Sequence, residues 1–347
     1  MNKLTDKRII IFGAGILGKQ ALGYFGSRNV ECFVDNNKAG EFYCGKNIIP
    51  IEKLCLIQEE FDLVVAVARR LLPEIEKQLI SAGISDFCYY YDLLSIDDFE
   101  SDPMLAALKN THLGEKCFII GNGPSLKASD LDVLYESKAF SFAANRIFKI
   151  FDQTKWRPDV YCVGDSYVLN IDLEHALRLD IDLKLFLHPR YTKYGEEFIN
   201  PKNQNGNTLF FSHISKPFNA DTPLIPFSDD PSRCVCSGYT IVYSIIQWAA
   251  YMGFTEMYLL GVDNDYTSAP ALSVSDADAD HFSKDYTDVQ WASSVTNYNP
   301  VFINIAQTQS YESAEIYSRE HGFRIFNATR GGKLEAFERV DFGSLFE

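Results

Sequence analysis

The sequence has no apolar run approaching the ~20 residues that a helix needs to cross a bilayer, which excludes a membrane-spanning helix. It also lacks an excess of positive charge. There are 32 Lys and Arg against 47 Asp and Glu, a formal net charge of -15. Non-specific nucleic-acid binding rests on Lys and Arg neutralising phosphates, so that partner class is excluded. Met1-Asn2-Lys3-Leu4-Thr5-Asp6-Lys7-Arg8 runs straight into a strand, without the apolar stretch and cleavage site of a secretory leader. A cytoplasmic location is expected, compatible with peripheral association with the inner membrane and with a homo-oligomer. The Gly-x-x-x-x-Gly-Lys-Ser/Thr loop of P-loop kinases is missing. The eight cysteines are scattered, and Cys234-Val235-Cys236 has one intervening residue and no second pair, so no zinc site is expected. Cys32, Cys117 and Cys162 sit in strand-like runs and read as buried thiols. There is no internal repeat and no low-complexity segment.

What is present reads as α/β. A chain of 347 residues with 46% apolar and 23% charged residues has room for two globular domains. Arg8-Ile9-Ile10-Ile11-Phe12 is a strand, Gly13-Ala14-Gly15-Ile16-Leu17-Gly18 a glycine turn, and Lys19 to Phe25 a helical run. The strand Val30 to Val34 then ends in the acid Asp35. Strand, glycine turn, helix, strand and acid form the dinucleotide-binding fingerprint in its expected context. Gly13, Gly15, Gly18 and Asp35 are therefore candidate cofactor-binding residues, and a β-branched side chain at Gly15 is expected to fit the turn poorly. Phe61 to Val67 is a third strand, and Leu71 to Ala82 a helix ending at Gly83. The segment 7–92 resembles the small Rossmann-like domain attached to many bacterial sugar-modifying and surface-polysaccharide enzymes. That resemblance implies either a nucleotide-sugar ligand or a scaffold role. No hydride chemistry is expected, because nothing downstream looks like a nicotinamide-side catalytic group. The domain boundaries are expected at 1–95 and 112–347, with an acidic, aromatic linker at 96–111.

The second domain opens on the most informative segment, Cys117-Phe118-Ile119-Ile120-Gly121-Asn122-Gly123-Pro124-Ser125. Its apolar run reads as a buried parallel strand, and its glycines let a ligand approach the backbone. Ser129 to Glu136 reads as a short helix. Two more strands follow, Lys138 to Ala144 ending in Asn145 and Arg146, and Arg157 to Gly164 ending in Asp165 and Ser166. In a parallel sheet such ends share one edge, so Asn122, Ser125, Asn145 and Asp165 are expected to line one pocket, although each is also an ordinary turn former. Ser237-Gly238-Tyr239-Thr240 opens the apolar helix Ile241 to Met252, either as an anion site or as a plain cap by Ser237. Glu256 to Gly261 is a strand followed by Asp263, Asn264, Asp265 and Tyr266. After the acidic run Asp276 to Asp280 comes His281; a helix from about Phe302 to His321 and the strand Phe323 to Asn327 follow.

In their order, Gly121-Asn122-Gly123-Pro124-Ser125-Leu126, Ala144-Asn145-Arg146, Ser237-Gly238, Gly261-Val262-Asp263 with Tyr266, and His281 resemble the bacterial sialyltransferases that build lipo-oligosaccharides. They also resemble the motility-associated flagellin glycosylation factors and the archaeal 6-hydroxymethylpterin diphosphokinases. The ending Asn327-Ala328-Thr329-Arg330-Gly331-Gly332 looks most like the flagellin factors. The resemblance spans about residues 112–335. It implies two Rossmann-like parallel-sheet domains, the second a sialyltransferase-like glycosyltransferase fold. It further implies a CMP-sugar donor, a glycan acceptor, inverting transfer and no required cofactor or metal. Asn122, Ser125 and Asn145 would hold the donor, Tyr266 the leaving phosphate, and His281 would be the general base; Gly121, Gly123, Arg146, Asp165, Ser237, Gly238 and Asp263 complete the expected substrate site. Arg146 and Asp165 stand where those enzymes have amide side chains, and Asp265 is an extra acid, which puts sialic acid itself in question. A magnesium-dependent diphosphokinase using Asp165, Asp263 and Asp265 is the rival enzyme, and a non-catalytic nucleotide-sugar sensor the rival from outside enzymology.

Overall fold

The computed structural model describes residues 4–67, 71–189, 207–214, 224–266, 280–283, 285–286 and 300–346. The chain divides into two compact units, Met1–Ser95 and Ile96–Glu347. Each is built on its own largely parallel sheet, so the α/β reading with two Rossmann-like units holds.

The first unit contains β1 (Arg8–Phe12), β2 (Val30–Val34), β3 (Phe42–Tyr43), β4 (Lys46–Ile49), β5 (Phe61–Val65) and β6 (Cys88–Tyr89). They lie in the order β3-β4-β2-β1-β5-β6. β1 pairs in parallel with both β2 and β5, and Ile10 and Ile11 in it are fully buried. That position between two neighbours is why β1 is a continuous apolar run rather than an alternating one. β3 and β4 form an antiparallel hairpin across Cys44 and Gly45, both at positive φ (47° and 78°), as a two-residue turn of this twist requires. The helix α1 covers Ile16–Phe25, three residues earlier than the sequence suggests.

The second unit holds β7 (Lys116–Ile120), β8 (Ser141–Ala144), β9 (Val160–Val163), β10 (Leu183–Leu187), β11 (Thr208–Phe211), β12 (His213–Ile214), β13 (Val235–Cys236), β14 (Glu256–Leu260), β15 (Arg324–Asn327) and β16 (Glu338–Arg339). The main sheet runs β11-β10-β9-β8-β7-β14-β15-β16, all parallel. The chain lays down β7 to β11 in one direction. It then returns to the other side of β7 with β14. The strand order therefore reverses between β7 and β14, and at such a point the loops leave the sheet on opposite faces and open a crevice at the carboxyl ends.

The helix Ile241–Met252 is apolar nearly all round and accordingly buried, packed against β7, β8 and β9. Gln247 sits fully buried inside it with every amide group used. Its Oε1 accepts from Ser228 N (3.0 Å) and Cys236 N (2.9 Å), and its Nε2 donates to Cys236 O (2.8 Å) and Tyr243 O (3.0 Å). The cap of this helix is Thr240, whose Oγ1 accepts from Val242 N at 3.3 Å, and not Ser237 as the sequence suggests. Ser237 instead extends the β12–β13 ladder through its N–H to Ile214 O (2.8 Å).

Residues 96–111, read from sequence as a linker, pack with the second unit. Asp102 N donates to Ser232 O and Asn110 N to Tyr251 O, each at 3.0 Å, and Leu105 is buried. A short helix, Pro103–Ala106, is capped by Asp102, whose Oδ1 accepts from Met104 N (2.8 Å). The helix Pro300–His321 packs on β15 and on the Ile241–Met252 helix. Residues 276–279 of the acidic run lie outside the described residues. Among the described residues, no helix is long and apolar enough to cross a membrane.

Candidate nucleotide and sugar site

The expected site residues from β7 and β14 meet where the strand order reverses. Gly121 and Gly123 fit only because they lack side chains. A Cβ on Gly121 would overlap the Gly261 carbonyl and lie 2.9 Å from Val262 Cγ2, and one on Gly123 would overlap the Asp263 carboxylate. Gly123 N donates to Gly261 O at 2.9 Å, tying the two turns together. The Asp263 Oδ2 accepts from Ser125 Oγ (2.8 Å) and lies 3.4 Å from Ser125 N. Burial raises the Asp263 carboxyl above the usual carboxylate range, and the Ser125 bonds pull it back only in part. Asp263 is braced from behind by the glycine turn after β15: Lys333 N donates to Asp263 O (2.7 Å), and a Cβ on Gly332 (φ 67°) would fall 2.6 Å from that oxygen.

Asn122, Asn145, Arg146 and Asp165 come from the ends of β7, β8 and β9, which are neighbours in the sheet. Asn122 Nδ2 donates to Ala144 O (3.0 Å) and to Tyr286 Oη (2.9 Å). Because a carbonyl can only accept, the Ala144 contact fixes which end of the amide is nitrogen. Among the described residues, the Oδ1 atoms of Asn122 and Asn145 are both buried with no hydrogen-bond partner. Orphaned acceptors of this kind are rare in native interiors and mark a place where a donor belongs. Asn145 also sits at φ 48°, a left-handed conformation that asparagine tolerates better than most side chains. Arg146 is buried, with Nε on Asp172 Oδ2 (2.7 Å) and NH1 on Tyr286 O (2.8 Å). Asp165 caps the helix Ser166–Arg178 by accepting from Tyr167 N at 2.7 Å, and burial raises its carboxyl.

Tyr266 is anchored by a reciprocal pair with Asn304, its N–H to Oδ1 (3.0 Å) and its C=O to Nδ2 (2.9 Å). Burial pushes its phenol up from the ordinary tyrosine value, and a Gln307 side-chain bond partly offsets that. His281 lies flat on the Tyr286 ring, centroids 3.9 Å apart and planes 8° from parallel. Phe282 N donates to Asn122 O at 3.0 Å, so the His281 segment is fastened to the β7 turn itself. Ser237 and Gly238 stand apart in role. Gly238 packs with its α-carbon against the Tyr243 ring, and its carbonyl accepts from Ser310 Oγ at 2.7 Å.

In the first unit the glycine turn is held from inside. Asp35 Oδ2 accepts from Ala14 N and Oδ1 from Asn37 N, both at 2.9 Å; Lys38 Nζ donates to Ala14 O (2.8 Å) and Tyr43 Oη to Gly15 O (3.2 Å). Both oxygens of the acid expected to take a ribose thus also hold the turn. The glycine demand also falls elsewhere than on Gly15, which has open space around an added Cβ. A Cβ on Gly13 (φ 113°) would fall 2.6 Å from Ala66 O, and one on Gly18 would overlap the Gly13 carbonyl. We expect Asp35→Ala to lower the thermal stability of this unit by about 1–3 kcal/mol, since two amide donors lose their acceptor. An unchanged melting curve would show that the carboxylate is free for a ligand.

Residues 93–269 match the family described as 6-hydroxymethylpterin diphosphokinase MptE-like. The chain belongs to this family. Residues 5–87 match a second family, C2185-like, N-terminal. The MptE-like region therefore covers β7 to β14 and the turns that carry Asn122, Asn145, Asp165, Asp263 and Tyr266. The chain is also similar to the solved structure of the MAf glycosyltransferase from Magnetospirillum magneticum AMB-1, at 13% identity and a TM-score of 0.39. That match covers 99% of this chain and 59% of the other, so the chain spans less than two thirds of that protein. No curated protein matches the chain.

Sequence reasoning missed several residues of the candidate site. Tyr286 touches Asn122, Arg146 and His281, yet it is one of 19 tyrosines and stands in no motif. Asp172 pairs with Arg146 from the middle of a helix. Lys333 reaches Asp265 with its Nζ at 2.7 Å. It follows the Gly331-Gly332 pair, and that glycine turn was the one available signal.

Proposed function

We propose that the second unit is an inverting, metal-independent glycosyltransferase. It takes a CMP-activated, sialic-acid-like sugar and passes it to a glycan acceptor in bacterial surface glycan synthesis, working in the cytoplasm. The observation that carries this reading is that Asn122 and Ser125, Asn145, Asp165 and Asp263 follow the carboxyl ends of β7, β8, β9 and β14, strands adjacent in one parallel sheet, with Ser125 bonded to Asp263 and the His281 segment bonded to the β7 turn. The orphaned Asn122 and Asn145 oxygens suit the amino group of a cytosine or the hydroxyls of a ribose.

In this reading His281 takes the proton from the acceptor hydroxyl as that oxygen attacks the anomeric carbon. The bond to the CMP oxygen breaks on the opposite face, inverting the centre. The Tyr266 phenol, kept protonated by burial, donates to the departing phosphate. The family description raises the diphosphokinase alternative, in which one or two of its candidate carboxylates would hold magnesium together with substrate phosphates, but all three already have partners within the protein. Asp263 is bonded by Ser125, Asp165 caps a helix and Asp265 pairs with Lys333. Asn122→Ala is expected to weaken CMP binding by about 1–2 kcal/mol, read by titration calorimetry on the folded variant. Donor turnover should survive EDTA. Unchanged CMP affinity in Asn122→Ala refutes this placement, and turnover abolished by EDTA favours the diphosphokinase.

A further inference from the structure

Deepening the reading of His281 as base, and resting on it, we propose that Tyr286 is the residue that positions the His281 imidazole against the donor site. Tyr286 is buried and makes three contacts that together form a bridge. Its ring face carries His281 in a near-parallel stack at 3.9 Å. Its hydroxyl accepts from Asn122 Nδ2 at 2.9 Å. Its carbonyl accepts from Arg146 NH1 at 2.8 Å, and Arg146 is in turn locked by Asp172. Phe282 closes the arrangement, with its N–H on Asn122 O and its ring edge on Tyr286 (5.7 Å, 80°).

The geometry suits a base. An imidazole accepts a proton through a nitrogen lone pair that lies in the ring plane. A stacked neighbour touches only the ring face, so it fixes the plane and leaves the edge to the acceptor. The link to Asn122 also places the base and the donor-holding amide on one hydrogen-bonded unit, so their separation does not drift. Burial raises the Tyr286 phenol above the ordinary tyrosine value, so it stays neutral beside the imidazole and leaves the stack uncharged on its side.

The test compares Tyr286→Phe, which keeps the ring and drops the hydroxyl, with Tyr286→Leu, which drops both. Because each removes the Asn122 partner, any difference between them reports the stack. The His281 imidazole resonance, assigned by its absence in His281→Ala, should lie upfield from the ring current in wild type and Tyr286→Phe, and return to the ordinary position in Tyr286→Leu. Turnover of CMP-N-acetylneuraminate should fall a few-fold in Tyr286→Phe, which loses the Asn122 link. In Tyr286→Leu kcat should fall about tenfold further, with KM nearly constant and the acid limb of the kcat profile displaced. His281→Ala combined with Tyr286→Leu should be no slower than His281→Ala alone, as expected for residues acting through one another. If Tyr286→Leu does not fold, Tyr286→Met takes its place. Equal His281 resonances in the Phe and Leu variants, or losses that multiply in the double variant, overturn the proposal. A His281→Ala enzyme turning over within about threefold of wild type sinks the base assignment as well, whereas a slow His281→Ala with Tyr286→Leu at the Phe rate removes only the positioning role.

Discussion

Replacing His281 by alanine should leave the fold and CMP affinity nearly intact and lower sugar transfer by roughly 10²-fold or more, the usual loss when a general base is removed. The imidazole stacks on the Tyr286 ring, and the Asn122–Tyr286 and Arg146–Tyr286 bonds do not pass through it. On the proposed reading the variant therefore keeps the nucleotide-holding groups and loses the proton acceptor. In steady-state terms kcat and kcat/KM fall together while the CMP dissociation constant stays put. Stopped-time assays of donor consumption alongside calorimetry with CMP separate these quantities. Turnover within about three times that of wild type would remove His281 from the chemistry.

Gly121→Ala should damage the same site from the scaffold side. The added methyl would overlap the Gly261 carbonyl and sit 2.9 Å from both Gly261 C and Val262 Cγ2. Neither backbone can step aside cheaply, because Gly121 N already donates to Leu260 O at 2.8 Å and Gly123 N to Gly261 O at 2.9 Å. Forcing β7 and β14 apart at the point where the crevice opens is an overpacking defect, costing about 1–3 kcal/mol. The Ser125–Asp263 bond lies on the same seam, so CMP affinity should drop about tenfold or more, each factor of ten being ~1.4 kcal/mol. A normal melting temperature with normal CMP affinity would show that the two turns have slack that the close approach does not suggest.

Much of the fold was legible beforehand because its signals are local. Apolar runs such as Ile9 to Phe12 and Cys117 to Ile120 are buried on both faces, and burial on both faces leaves a continuous stretch that is visible without knowing the partners. Turns that need glycine announce themselves for the same reason. Local chemistry was less reliable about which residue bears the constraint. The glycine turn of the first unit rests on Gly13 and Gly18 and not on Gly15, and the helix cap is Thr240 and not Ser237. The first turns on the close approach of Ala66 to Gly13 and of Gly13 to Gly18, the second on where the helical hydrogen bonds begin.

The sequence by itself determined that this protein has two sheets of parallel strands, that polar residues end three successive strands of the second, and which residues stand on those ends. Only the tertiary structure decided what those residues touch. It bonded Asp35 to its own glycine turn, buried Arg146 against Asp172, and brought Tyr286 across more than a hundred residues of chain to Asn122 and Arg146. Strand type follows from periodicity. The partner of a side chain at a strand end depends on which distant loop folds over it, and no local pattern encodes that.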